Sequence, residues 1–257
     1  MLHGSNGNRF NVPYAFGYCT DLNLLVLESL PGQPQVARLL KRRLGDETLP
    51  PGTLALEESI EACARIAAAL HDSGIRLGAP RRLDDEIASL RTGVCALQRV
   101  SPELGAQLQS SLDRITTGGS ASDALPLCFS HGDFTYTQLI FNGKEGGLVD
   151  FDTVCQAEPI LDLGQFLAYQ RLAIRKDQNP ASPMPAAVAE QLCARFLDSY
   201  VAALHAGQVD EAKLRARVPL YEAISLVRLA LHSWQKLKVS RLNHVLTLLE
   251  ERLSCLA

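Results

Sequence analysis

No apolar run in the sequence is long enough to cross a bilayer, so a helical membrane span is excluded. There is no basic excess either. The formal net charge is −3, and the chain lacks the electrostatic footprint that a nucleic-acid partner requires. The seven cysteines include no Cys-x-x-Cys pair, which argues against a zinc site or a disulfide framework and fits a reducing cytoplasm. Cys63, Cys95 and Cys193 fall within helical patterns and are expected as small buried hydrophobes. The start, Met1 to Asn6, has neither the basic segment nor the apolar core of a signal peptide. There is no internal repeat. The expectation is a cytoplasmic protein of one large domain or two small ones, with no membrane or nucleic-acid partner.

What is present centres on Ser130-His131-Gly132-Asp133, followed by Gln138 and by Val149-Asp150-Phe151-Asp152. Leu125 to Phe129 reads as a short buried strand that delivers His131 and Asp133 onto a loop. Gln138 opens a second apolar run, Leu139 to Phe141. Asn142-Gly143 is a turn signal, and Gly147-Leu148-Val149 brings the chain back. Asp150 is therefore expected near Asp133. Two carboxylates and a carboxamide on strand ends suit acid–base chemistry and a hard divalent cation such as magnesium. The plainer reading, two aspartates capping turns, explains each residue alone but not the joint pattern.

That pattern resembles the catalytic core of the aminoglycoside phosphotransferase and choline kinase-like family, which shares the protein-kinase fold. The resemblance implies an α+β, protein-kinase-like chain with a mostly helical large lobe, short catalytic hairpins and a truncated small lobe. It implies ATP, or another nucleoside triphosphate, as phosphoryl donor, Mg2+ as cofactor and a small hydroxylated acceptor. The base falls on Asp133, with His131 beside it in the catalytic set and organising the loop by hydrogen bonding. Gln138 and Asp150 become metal ligands. Asp152 joins them, or else only hydrogen-bonds to the loop. Asp162, in Pro159-Ile160-Leu161-Asp162-Leu163, matches the aspartate that braces the loop. The family more often has Asn at the Gln138 position, and the maltokinase-like members resemble this chain in having Gln. This points to a sugar as much as to an aminoglycoside.

Upstream, Leu24 to Leu27 reads as a strand ending in Glu28-Ser29-Leu30-Pro31-Gly32. By resemblance this is the hinge between lobes, and the backbone of Glu28, Ser29 and Leu30 would hold the adenine edge. Residues 1–28 are then a remnant of the small lobe and 29–257 the large lobe. Gly4-Ser5-Asn6-Gly7 reads as a frayed terminus rather than a phosphate loop. No lysine precedes the hinge, so the usual cationic clamp on the phosphates is missing.

The remaining pattern is helical. Thr53 is expected to cap a helix through Ser73, with Leu56, Ile60, Cys63, Ala67 and Leu70 on one face and Leu70-His71 closing it. Leu83 to Leu97 marks a second helix, with Asp84, Asp85 and Glu86 suited to its N-terminal dipole. Ser101-Pro102-Glu103 starts a third. Thr117 to Ser122 reads as a flexible link. A helix from Pro159 to about Leu172, a loop over 177–185, and helices near 186–206, 210–238 and 240–254 complete the chain, with Pro219 expected to kink or split the second of these last three. Tyr221 and Trp234 either belong to the core or line a pocket.

Three readings compete: a small-molecule kinase, a catalytically inactive kinase-like binding module, and a metal-dependent hydrolase at the same carboxylates. The uncovered lobe face is expected to promote self-association.

Overall fold

The computed structural model describes residues 10–43, 53–120, 124–176, 186–205 and 209–256. The Gly4–Gly7 segment, the 177–185 loop and residues 121–123 lie outside them. Two strands open the described chain. β1 (Ala15–Cys19) and β2 (Leu24–Leu27) form an antiparallel hairpin around a 3-10 turn at Thr20–Leu22. Both strands are exposed along their whole length.

Eight helices carry most of the rest: α1 (Gln35–Arg43), α2 (Leu56–His71), α3 (Leu83–Gln98), α4 (Pro102–Ser120), α5 (Ile160–Lys176), α6 (Ala186–Ala203), α7 (Glu211–Gln235) and α8 (Val239–Leu253). Between α4 and α5 lie four short strands. β3 (Cys128–Ser130) pairs with β6 (Cys155–Ala157), and β4 (Leu139–Asn142) with β5 (Glu145–Leu148), both antiparallel. The α+β, kinase-like arrangement expected from the sequence is observed.

α2 is more deeply buried than a one-faced helix. Besides Leu56, Ile60, Cys63, Ala67 and Leu70, the small residues Ala62, Ala64, Ala68 and Ala69 are buried too. Their size lets α6 and β3 pack against the helix backbone. The cap is Ala55 rather than Thr53, and its backbone N–H donates to the Glu58 carboxylate at 2.9 Å, so a first-turn acid does the capping alone.

Several other expectations are corrected. Thr117 to Ser120 continue α4 instead of forming a link. α7 runs unbroken through Pro219; flanking Val218 and Leu220 are buried, and such packing offsets the lost hydrogen bond. Cys95 is exposed, whereas Cys63 and Cys193 are buried and burial pushes both thiols up. Tyr221 is core, its hydroxyl donating to Glu158 Oε1 at 2.7 Å, and Trp234 packs half-buried against that core. Among the described residues no helix is long and apolar enough to cross a membrane.

Candidate active site

The centre of the site is a buried carboxylate with more donors around it than a single side chain usually meets. Asp162, in the first turn of α5, is fully buried. Its Oδ1 accepts the Gly132 N–H at 2.9 Å. Its Oδ2 accepts the His131 N–H at 2.7 Å and lies 3.0 Å from His71 Nε2 at the end of α2. Burial pushes this carboxyl up, but the hydrogen bond from His71, followed by the backbone bond from His131, outweighs it and holds Asp162 below the usual carboxylate range. Burial also raises the Tyr200 phenol well above its usual range. Tyr200 therefore keeps its proton and donates to His71 Nδ1 at 2.9 Å, leaving Nε2–H for Asp162. His71, read from sequence as structural, is the prop behind the loop's brace.

Above this brace both ring nitrogens of His131 are engaged. Nε2–H donates to the Val149 carbonyl at 3.0 Å, and Nδ1 accepts the Asp133 N–H at 3.3 Å. The ring is fully buried and packs against Phe134 and Phe151. Phe134 is itself buried against Phe166, so the residue after Asp133 is an apolar anchor. Gly132 has φ of +79°, and a Cβ there would lie 2.2 Å from the Thr153 carbonyl. Only glycine fits.

Asp133 points into the resulting cleft. Its Oδ2 accepts from Gln138 Nε2 at 3.4 Å, and the same nitrogen donates to Asp150 Oδ2 at 2.9 Å. Asp133, Gln138 and Asp150 thus converge, as the sequence spacing led one to expect. Asp150 sits at φ of +69°, a left-handed conformation that a non-glycine residue adopts at a cost of roughly 1–3 kcal/mol. Asp152 stands apart: it is exposed on a turn and has no hydrogen-bond partner among the described residues. The link to the loop comes from its neighbour, Thr153, whose hydroxyl donates to the His131 carbonyl at 3.0 Å. Among the described residues no three His, Cys, Asp or Glu side chains gather as a metal site. The oxygen donors at the site are the Asp133 and Asp150 carboxylates with the Gln138 amide, a hard set that fits magnesium, which takes few protein ligands.

The β4–β5 hairpin behind Asp150 is clasped on both sides. Asn11 bonds to Gly146 and Leu148 along β5, and Gln33 exchanges two backbone bonds with Phe141 on β4, at 3.1 and 2.9 Å. The turn itself is Gly143-Lys144, because Asn142 pairs with Glu145; the turn signal marks it one residue early. The predicted hinge runs alongside. The Glu28 N–H donates to the Tyr14 carbonyl at 2.8 Å, and its carboxylate accepts the Tyr14 N–H at 3.0 Å. Leu30 packs over Gly147.

Sequence reasoning missed Gln165, one turn beyond Asp162 on α5. Its Nε2 donates to Asp133 Oδ1 at 2.6 Å, and Oε1 is left buried without a partner. A carboxylate offers only acceptors, so the amide must turn its nitrogen inwards and strand its oxygen. The signal was available: residues three apart share a helix face.

Comparison with known proteins gives the family. The model of the phosphotransferase enzyme family matches residues 2–217, and the chain belongs to that family. A search of the curated proteins found no match. Among solved structures, a choline/ethanolamine kinase family protein from Mesorhizobium loti is 16% identical with a TM-score of 0.62, covering 95% of this chain and 78% of that one. The GDP and kanamycin complex of APH(2″)-IIIa is 17% identical with a TM-score of 0.58, covering 95% and 76%. A glucosamine kinase in complex with glucosamine, ADP and inorganic phosphate is 23% identical with a TM-score of 0.62, covering 90% and 64%. These likenesses show the kinase-like fold.

Proposed function

We propose that the chain transfers the γ-phosphoryl group of ATP to a hydroxyl of a sugar or an aminoglycoside. The observation that carries this reading is the Gln138 amide held between the Asp133 and Asp150 carboxylates. In the transfer, the acceptor oxygen bonds to the γ-phosphorus as the bond to the β,γ-bridging oxygen breaks. That oxygen leaves with the electron pair on the diphosphate, and Asp133 takes the hydroxyl proton. His131 holds the loop, since both its nitrogens are engaged.

Asp150 and Gln138 are the residues that would hold magnesium, with the exposed Asp152 a candidate to join them. When bound there, the ion would supply charge neutralisation at the phosphates. Gln138 would turn its Oε1 towards the cation, because in the present rotamer its N–H groups offset the repulsion between the two carboxylates. At the hinge the Glu28 N–H is already spent on Tyr14. The adenine edge therefore falls to the backbone of Ser29 and Leu30 and to the Glu28 carbonyl.

The same reading divides the chain into 1–28, the small-lobe segment, and 29–257, the large lobe. Its seven free cysteines speak for the reducing cytoplasm as its compartment. The test is phosphate transfer from labelled ATP to a panel of sugars and aminoglycosides. We expect turnover that falls about 10²–10⁴-fold in Asp133→Ala. Turnover unchanged in that variant would reject the reading. Nucleotide binding without any turnover would favour the inactive binding module.

A further inference from the structure

α5 meets the loop residue by residue. Asp162, in its first turn, accepts the backbone N–H groups of His131 and Gly132. Gln165 lies three positions on, and so on the same helix face, and donates its Nε2–H to Asp133 Oδ1 at 2.6 Å. Phe166 packs against Phe134 and stacks on Phe196, with ring centroids 6.0 and 4.1 Å apart respectively. One helical turn therefore sets the loop backbone, the carboxylate of Asp133 and the apolar anchor behind it. The helix is itself held close to α7. A Cβ on Gly164 would lie 2.8 Å from the Tyr221 carbonyl carbon and 3.0 Å from the Glu222 backbone nitrogen, so the two helix backbones meet there.

The two oxygens of Asp133 are held unequally. Oδ1 meets the buried Gln165 amide. Oδ2 meets the half-buried Gln138 amide at 3.4 Å, and Asp150 shares that nitrogen at 2.9 Å. Bonds from N–H to oxygen usually span about 2.7–3.2 Å, so the first is firm and the second lies beyond the usual range.

Gln165 carries a cost that packing does not explain. Its Oε1 is buried with no partner among the described residues. A stranded buried oxygen is destabilising, and a methionine or leucine would fill the same space without one. What an apolar side chain cannot supply is the N–H aimed at Asp133.

We infer that Gln165 is a positioning residue for the proposed transfer: it pins Oδ1 of Asp133 and leaves Oδ2 as the oxygen that takes the acceptor's proton. This rests on the phosphotransferase reading and deepens it. As the acceptor oxygen bonds to the γ-phosphorus, its O–H bond breaks towards Oδ2, and the β,γ-bridging oxygen leaves with its electron pair on the diphosphate. With Oδ1 fixed, the carboxylate does not turn about its Cβ–Cγ bond, and Oδ2 keeps one direction in the cleft. Alignment of this kind matters, since a misplacement of about 1 Å costs on the order of 100-fold in rate.

The test uses the full chain, two apolar variants, Gln165→Met and Gln165→Leu, and two readouts. The first is kinetic, with an acceptor that the wild type phosphorylates. We expect kcat to fall about 10–100-fold in both variants, while KM for the acceptor and for ATP stays within about two-fold. The melting temperature should hold or rise, because the stranded oxygen is gone. The opposite pair, a lowered melting temperature with wild-type kcat, would mark a residue that serves only the fold and would overturn the inference. Wild-type kcat in either folded variant, or a loss confined to KM, would overturn it too and leave the phosphotransferase reading intact.

The second readout needs no turnover. In the 15N-labelled chain the Gln165 side-chain amide is identified by its loss in Gln165→Met. It should exchange slowly with solvent and should shift in Asp133→Ala. A signal indifferent to Asp133→Ala would overturn the inference. A signal that responds to Asp133→Ala, in a chain that phosphorylates no acceptor, would uphold the pinning of Oδ1 and reject the phosphotransferase reading instead.

Discussion

The chain contains two antiparallel hairpins of nearly equal length with opposite surroundings. β1–β2 is exposed along both strands, and apolar residues such as Phe16 (66%) and Leu24 (51%) face solvent. β4–β5 has Leu139, Phe141 and Leu148 in the core and a neighbouring backbone segment bonded along each edge. An isolated two-stranded ribbon is marginal in water, so a hairpin's stability comes from its neighbours. The buried hairpin ends on Asp150 and can therefore bear a strained backbone there. The exposed one leads to the hinge expected from the sequence and bears no strain of that kind beyond Asn23 at its turn.

The contrast is sharpest at the brace beneath the buried hairpin. Asp162→Ala should destabilise the fold by about 3–5 kcal/mol, because it leaves His71 and two backbone amides buried without their acceptor. Thermal unfolding would measure this, and turnover should fall with it. Asn would not rescue fully, since its amide nitrogen would face donors.

The same carboxylate gives a pH dependence. Its folded pKa is depressed, so its contribution is complete above the usual 3.8 and is lost as pH falls through the lower folded value. Acid unfolding of the wild type should therefore show a steep loss below about pH 4 that Asp162→Asn lacks. Parallel acid titrations of the two proteins would refute this.

Smaller effects follow at the clasp. Gly32 has φ of +116°, and a Cβ there would lie 2.3 Å from the Phe141 carbonyl. Gly32→Ala should cost about 1–3 kcal/mol and loosen β4 from the Gln33 backbone, which the melting temperature would report. The smallest effect lies on the exposed hairpin. Leu25→Ser should change stability by no more than about 0.5 kcal/mol while reducing self-association at high concentration, seen by light scattering. A large loss of stability there would mean that the two hairpins are more alike than their burial shows.

Much of this was legible in the sequence because it depends on local signals. The spacing of Asp133, Gln138 and Asp150 around a turn was enough to bring them together. The apolar periods of α2, α3 and α4 placed those helices, and Pro102 marked the start of α4. What was not legible depends on packing between distant segments. Nothing local says that Glu86 turns inwards to Arg81 and Arg228, or that α7 absorbs Pro219. Thr53 lost the capping role because Glu58 could satisfy the Ala55 amide from inside the helix.

The Asp162 carboxylate has one more consequence, for exchange with solvent deuterium. The amides of His131 and Gly132 lie outside any strand or helix, where amides normally exchange within the fastest class. Here each is bonded to a fully buried carboxylate that also ties down the end of α2. Releasing either proton requires α2, α5 and the loop to part together. These two loop amides should therefore exchange as slowly as the helical core, on the timescale of global opening, while the amides of β1 and β2 exchange orders of magnitude sooner. In isotopic terms the loop from His131 to Asp133 is part of the protein's slowest-opening unit.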